Sequence, residues 1–170
     1  MSEELADVER TFERADAYAR DGDGFRVTTT AFDGRVEIAD APEWRIAYTV
    51  TVRAPTLRAA TADEVGDAVR DGWFDTLRRR LEDAPKATRA SVDLEEFAVV
   101  RDGDEVVVTY GFELGSASQA ADVAKAFVEY VEGTYVEGVI PGYEYEGAVA
   151  DLVSDAASGD GHGQAGGTPL

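Results

Sequence analysis

The chain contains no cysteine and no asparagine, a single histidine (His162), and only two lysines, Lys86 and Lys125, beside fourteen arginines. Each scarcity removes a class of chemistry. Without cysteine there is no disulfide framework, no thiolate metal site and no cysteine nucleophile. Without asparagine there is no N-glycosylation acceptor. One histidine, placed near the chain end, leaves no Ser-His-Asp, Cys-His or His-ligated zinc set on a folded body. Positive charge is also short: 16 basic side chains stand against 35 acidic ones, a formal net charge of −19. That balance argues against a general nucleic-acid binder, which needs positive surface to displace counterions from phosphates. No run approaches the roughly 18 consecutive apolar residues of a membrane span. Met1-Ser2-Glu3-Glu4 is acidic and opens no apolar run of signal-peptide length, so a soluble, cytoplasmic protein is expected.

What is present suffices for one domain. At 170 residues and 44% hydrophobic content, the chain can bury about 70% of its unfolded surface. The carboxylates therefore decorate the outside of a folded body, where they repel one another. At about 1 M salt the Debye length falls to about 3 Å and that repulsion is screened. Abundant acid, little lysine and only three isoleucines (Ile38, Ile46, Ile140) resemble the composition of proteins from salt-accumulating halophilic archaea.

Periodicity predicts an opening helix, capped by Ser2, with Leu5, Val8, Phe12, Ala15 and Ala19 on one face and a stop at Asp21-Gly22-Asp23-Gly24. Three strands follow: Phe25 to Phe32, Arg35 to Ala39 after a hairpin signal at Asp33-Gly34, and Glu43 to Arg53. In the last of these Trp44, Ile46, Tyr48, Val50 and Val52 alternate with smaller and polar residues, the mark of a strand buried on one face. Thr61 and Glu64 form a Thr-x-x-Glu capping box before a second helix with Val65, Val69, Trp73, Leu77 and Leu81 in its stripe and Pro85 at its end. Strands Ser91 to Val100 and Glu105 to Leu114 turn at Asp102-Gly103. Ser116 and Gln119 then open a helix carrying Ala120, Val123, Ala124, Phe127 and Val131. After Gly133 an irregular crossing and a short helix over Val149, Leu152 and Val153 are expected.

The expected fold class is α+β: an antiparallel sheet of about five strands with helices packed on one face, in the order α-β-β-β-α-β-β-α. Residues 1–156 form the single domain and 157–170 a disordered, Gly-rich tail. The order resembles the type III secretion chaperone-like fold, a likeness that carries no function.

Motifs with chemical meaning are few. Gly161-His162-Gly163-Gln164-Ala165-Gly166 spells a dinucleotide fingerprint but lacks the strand before it and the helix after it that make one work. Asp21-Gly22-Asp23 and Asp102-Gly103-Asp104-Glu105 lack the spacing of a calcium loop and read as turns. Carboxylate-pair catalysis needs an acid held in a cleft, for which Glu96 and Glu113 are the candidates within apolar strands; a bulge at Glu95-Glu96 would explain the first. Arg78-Arg79-Arg80 is the one basic run, able to dock an acidic partner or to pair with Asp75, Glu82 and Asp83. Tyr130, Tyr135, Tyr143 and Tyr145 fall outside any clean stripe, as interface tyrosines often do.

The folded body, 1 to about 156, resembles an uncharacterised family of small cytoplasmic proteins of halophilic archaea, a domain of unknown function. The resemblance rests on Phe25–Phe32, the Trp44–Val52 strand and Trp73-Phe74, and brings no active-site motif with it. No catalytic residue, metal or cofactor is expected. The favoured reading is a protein–protein interaction module, with a homodimer as one form, using Arg78, Arg79, Arg80, Tyr135, Tyr143 and Tyr145. The alternative is a small-molecule-binding protein or a carboxylate enzyme with a cleft between sheet and helices.

Overall fold

The alternation of Ile46, Tyr48, Val50 and Val52 places the centre of the fold. The computed structural model describes residues 3–167, with side chains as far as Ala157 apart from that of Trp44. In it these four residues are buried on one face of strand β4 (Arg45–Pro55). On one side β4 pairs with β3 (Asp33–Ala41), on the other with β6 (Glu105–Glu113), so Val50 lies between Val36 and Tyr110 and Tyr48 between Ile38 and Phe112. With β1 (Tyr18–Asp21), β2 (Gly24–Val27) and β5 (Glu96–Asp102) the sheet is antiparallel throughout, in the order β1-β2-β3-β4-β6-β5. The α+β class is as expected, with six strands where about five were predicted.

The helices lie on the face that β4 buries. Helix α4 (Ala117–Glu137) sets Phe127 against Tyr110 and Phe112, with ring centroids at 4.9 and 5.5 Å. Its start follows from sequence: the Ser116 hydroxyl accepts the Gln119 N–H at 3.2 Å. Helix α1 (Glu3–Arg14) brings Phe12 onto Tyr18, Phe25 and Tyr48. Helix α3 (Asp67–Leu81) covers the β5–β6 side, joined to β4 through the single turn α2 (Leu57–Ala60). Helix α5 (Gly147–Gly167) closes the chain, its Val149 buried. Of the tail expected over 157–170, residues 157–167 fall within the bounds of α5 and 168–170 lie outside the described residues; the side chain of His162, in the fingerprint-like run, lies outside the described ones.

Burial pushes the hydroxyls of Tyr18, Tyr110 and Tyr135 well above the ordinary phenol range. Tyr48 is pushed up to about 12 by the same cause. Its hydroxyl is the one fully buried side-chain polar atom without a hydrogen-bond partner among the described residues.

Several boundaries differ from the sequence expectation, each for a tertiary reason. The first helix stops at Arg14, because Tyr18–Asp21 is recruited as an edge strand and Asp21-Gly22-Asp23-Gly24 becomes its hairpin, with Gly22 at φ 61°. Asp33-Gly34 is not a turn but the start of β3. Residues 28–32 form the connection, held by Glu132, whose carboxylate accepts the N–H groups of Ala31 and Phe32 at 2.7 and 3.0 Å. The Thr61–Glu64 box caps nothing: α3 starts behind Gly66, and the Thr61 hydroxyl donates to the Glu144 carbonyl at 2.8 Å while accepting the Asp63 N–H. Helix α4 runs through Gly133 to Glu137, so the irregular crossing begins later than predicted. The chaperone-like order is thereby replaced by one with four strands, two helices, two strands and two helices after α1.

Candidate functional site

The stripe predicted for α3 divides when the helix packs. Phe74, Leu77 and Leu81 are buried, whereas Val69 remains 42% exposed and Trp73 half-buried. Together with Ile140 these residues wall a groove of about 240 Å³ between α3 and the end of α4. Leu77 and Thr134 form its inner part and Gly72, which carries no side chain on the helix, opens it; Arg80 stands at one end. Trp73 packs edge-on against Tyr135, with centroids 5.4 Å apart at 83°.

The walls are held by tyrosine hydroxyls bonded to main-chain groups. The last carbonyls of a helix have no partner within it. Tyr130 donates to the carbonyl of Arg80 at 2.8 Å and Tyr110 to that of Leu81 at 2.7 Å, fixing the end of α3. On the other wall, the Tyr145 hydroxyl accepts the Ile140 N–H at 2.7 Å across the turn containing Pro141 and Gly142, the latter at φ 96°. Thr61 and Tyr145 form an isolated antiparallel bridge. Burial raises the Tyr145 hydroxyl above its ordinary value.

The six residues singled out from sequence divide accordingly. Arg80 lines the groove and pairs with Glu137. Tyr145 shapes a wall from behind, and half-buried Tyr143 lies in the same turn. Arg78 and Arg79 are exposed on α3; Arg79 donates to the Asp75 carbonyl, and Arg78 makes no ion pair among the described residues. Tyr135 is a core residue, 1% exposed, whose hydroxyl donates to the Pro55 carbonyl at 2.9 Å, so it offers no surface to a partner. Sequence reasoning missed Val69, Trp73 and Ile140 as surface-forming residues, since spacing alone assigned the first two to the core. The legible signal was Gly72, a glycine inside a helical pattern.

The carboxylates considered for catalysis do not meet. Glu96 is exposed at the first position of β5 and pairs with Gly111, whose carbonyl also accepts the Glu95 N–H at 2.7 Å, so two residues face one there, as the expected bulge requires. Glu113 is half-buried and paired with Arg45 at 3.2 Å. It lines a wider cleft of about 580 Å³ at the opposite end of the sheet, with Glu4, Asp7, Asp93 and Glu95. No metal-holding group of three or more His, Cys, Asp or Glu occurs among the described residues. No described helix is long and apolar enough to cross a membrane.

Fold and site thus define an α+β protein with helices on one face of an antiparallel sheet and an apolar groove within the helix layer. The chain belongs to the family of unknown function DUF5813, whose model matches residues 10–155, from within α1 to within α5. No curated protein and no solved structure matches it.

Proposed function

We propose that the chain is a non-catalytic protein–protein interaction module whose groove takes an apolar side-chain anchor from an acidic segment of a partner. The observation that carries this reading is an exposed Val69 beside Trp73 and Ile140 in a groove that Arg80 also lines, with Arg78 and Arg79 exposed on the same helix. Apolar surface in a groove gains free energy by being covered, at about 25 cal/mol per Å². On a chain of net charge −19, three consecutive arginines mark where an acidic partner meets the least repulsion.

The test is photo-cross-linking in high-salt cell extract from a probe at position 69, with one at Val100, exposed on the outer sheet face, as the comparison. Adducts of defined mass from position 69 alone are expected. Thr76→Asp, which adds a carboxylate to the groove wall beside the probe, should reduce their yield about tenfold while changing stability by no more than about 0.5 kcal/mol, because the side chain is exposed. Equal adducts from both positions, or adducts indifferent to Thr76→Asp, would refute the reading. An adduct with twice the chain mass would replace the acidic partner by a second copy.

We infer further that the acidic surface serves a salt-rich cytoplasm. Support comes from the exposed or half-exposed setting of the carboxylates in the ion pairs, as in Arg10–Asp7, Arg58–Asp67 and Lys86–Asp83. The midpoint of thermal unfolding should rise between about 0.1 M and about 1 M KCl, as the Debye length shortens from about 10 to about 3 Å. A midpoint that falls or stays level over that range would contradict it.

A further inference from the structure

A second feature, independent of the groove, concerns arginines far apart in sequence. Arg58 follows the start of α2, Arg70 lies in the first half of α3, and Arg101 stands near the end of β5; all three line one cleft of about 380 Å³ with Thr56, Gly103 and Asp104. On a protein with an excess of carboxylates, three guanidinium groups converge on one spot. Two aspartates lie between them: Asp67 contacts Arg58 at 2.7 Å and Arg70 at 3.6 Å, and Asp71 contacts Arg70 at 3.1 Å and Arg101 at 2.9 Å. The hydrogen bonds from Arg101 and Arg70 hold the Asp71 carboxyl below its ordinary range. The third carboxylate, Asp104, belongs to the β5–β6 turn, where its main-chain carbonyl accepts the Thr56 N–H at 2.8 Å.

These contacts orient the guanidinium groups without exhausting them. Arg58 directs Nε and Nη2 to the Val65 carbonyl at 3.1 and 2.9 Å. Arg101 lies over the Phe74 ring, 4.4 Å from its centroid. Each guanidinium has five N–H donors; the hydrogen bonds use three on Arg58 and one each on Arg70 and Arg101, so most of the donors of the last two stay open. All three side chains retain solvent access, at 45%, 30% and 39% for Arg58, Arg70 and Arg101. Thr56 is buried at 7% exposure and accepts the Ala59 N–H, which leaves its hydroxyl proton to be donated. Gly103, at φ 63°, presents main chain with open space where a side chain would stand.

We propose that this cleft binds the phosphate group of a small phosphorylated molecule. Planar guanidinium forks match phosphate oxygens two at a time, and oriented arginines lose little entropy in doing so. A cleft of about 380 Å³ has room for an organic moiety attached to the phosphate, so a phosphomonoester fits better than free phosphate. Asp104 at the turn restricts the anion to the arginine side, and also disfavours a polyanion extended along the surface.

The test is titration of the isotope-labelled full-length chain with AMP, glucose 6-phosphate, inorganic phosphate and sulfate, at one ionic strength held constant with KCl. Saturable shifts of the Gly103 amide and the Arg58, Arg70 and Arg101 Nε signals are expected for at least one phosphomonoester, with sulfate at least about tenfold weaker. Arg70→Ala should weaken binding about tenfold or more. Arg101→Lys, which keeps the charge and loses the fork, should also weaken it while leaving the circular dichroism spectrum unchanged. Arg89→Ala, outside the cleft, should change nothing. Equal responses to sulfate and phosphomonoesters, absence of saturable shifts, or full binding in both Arg70→Ala and Arg101→Lys would overturn the proposal. Tight binding of a single-stranded RNA oligomer with none of either phosphomonoester would overturn it in favour of a nucleic-acid surface. Because Val69 is not part of this cleft, failure here leaves the groove reading intact, and the converse holds.

Discussion

Phe127→Ala should cost about 3–5 kcal/mol, the largest loss expected from a single side chain of α4. Phe127 is fully buried, and its ring touches those of Tyr110 and Phe112 on the interior strand β6. Removing it leaves a cavity that two ladder-held aromatic residues cannot close by moving together. The effect should extend to α3, because Tyr110 carries the hydrogen bond to the Leu81 carbonyl. Denaturant unfolding in molar KCl checks it through a lowered midpoint at unchanged slope. A loss below about 1 kcal/mol would mean that α4 is not seated on β6 through this ring.

The second large effect is expected at Gly34. A Cβ at that position would lie 2.4 Å from Cγ1 and 2.7 Å from Cγ2 of Val128. Val128 is fully buried in α4, and a β-branched side chain in a helix has one strongly preferred rotamer, so it cannot swing aside. Gly34→Ala should therefore cost about 3 kcal/mol, the upper end of ordinary overpacking. Val128→Ala vacates the contested space. The double variant should thus be more stable than the two separate losses predict, by about 1–2 kcal/mol. Strict additivity in a double-mutant cycle would show that α4 and β3 do not touch there.

Gly34 also explains why part of the fold escaped sequence reasoning. Asp-Gly between two apolar segments is a strong hairpin signal, yet this glycine is required by the close approach of α4, an element that begins more than eighty residues later. The Thr61–Glu64 capping box failed for a similar reason. The Thr61 hydroxyl was taken by the Glu144 carbonyl, a partner invisible from local spacing. Where the competing partner was local, reading succeeded. Ser116 capped α4 as predicted, and Asp102-Gly103-Asp104 made its turn with Gly103 at φ 63°. Tyr135 illustrates the site. Lying outside a clean stripe, it read as an interface residue, but the extension of α4 through Gly133 carried it into the core.

Composition and periodicity by themselves established the α+β class, the buried face of β4, the face of α4, the excess of surface carboxylate, and the lack of cysteine or clustered histidine chemistry. These depend on residue type and near-neighbour spacing, which a linear chain displays directly. The sixth strand, the division of the α3 stripe into core and groove, and the meeting of Arg58, Arg70 and Arg101 came only with packing. Each depends on which distant segment arrives beside a residue, and contacts between segments far apart in the chain leave no period in either one.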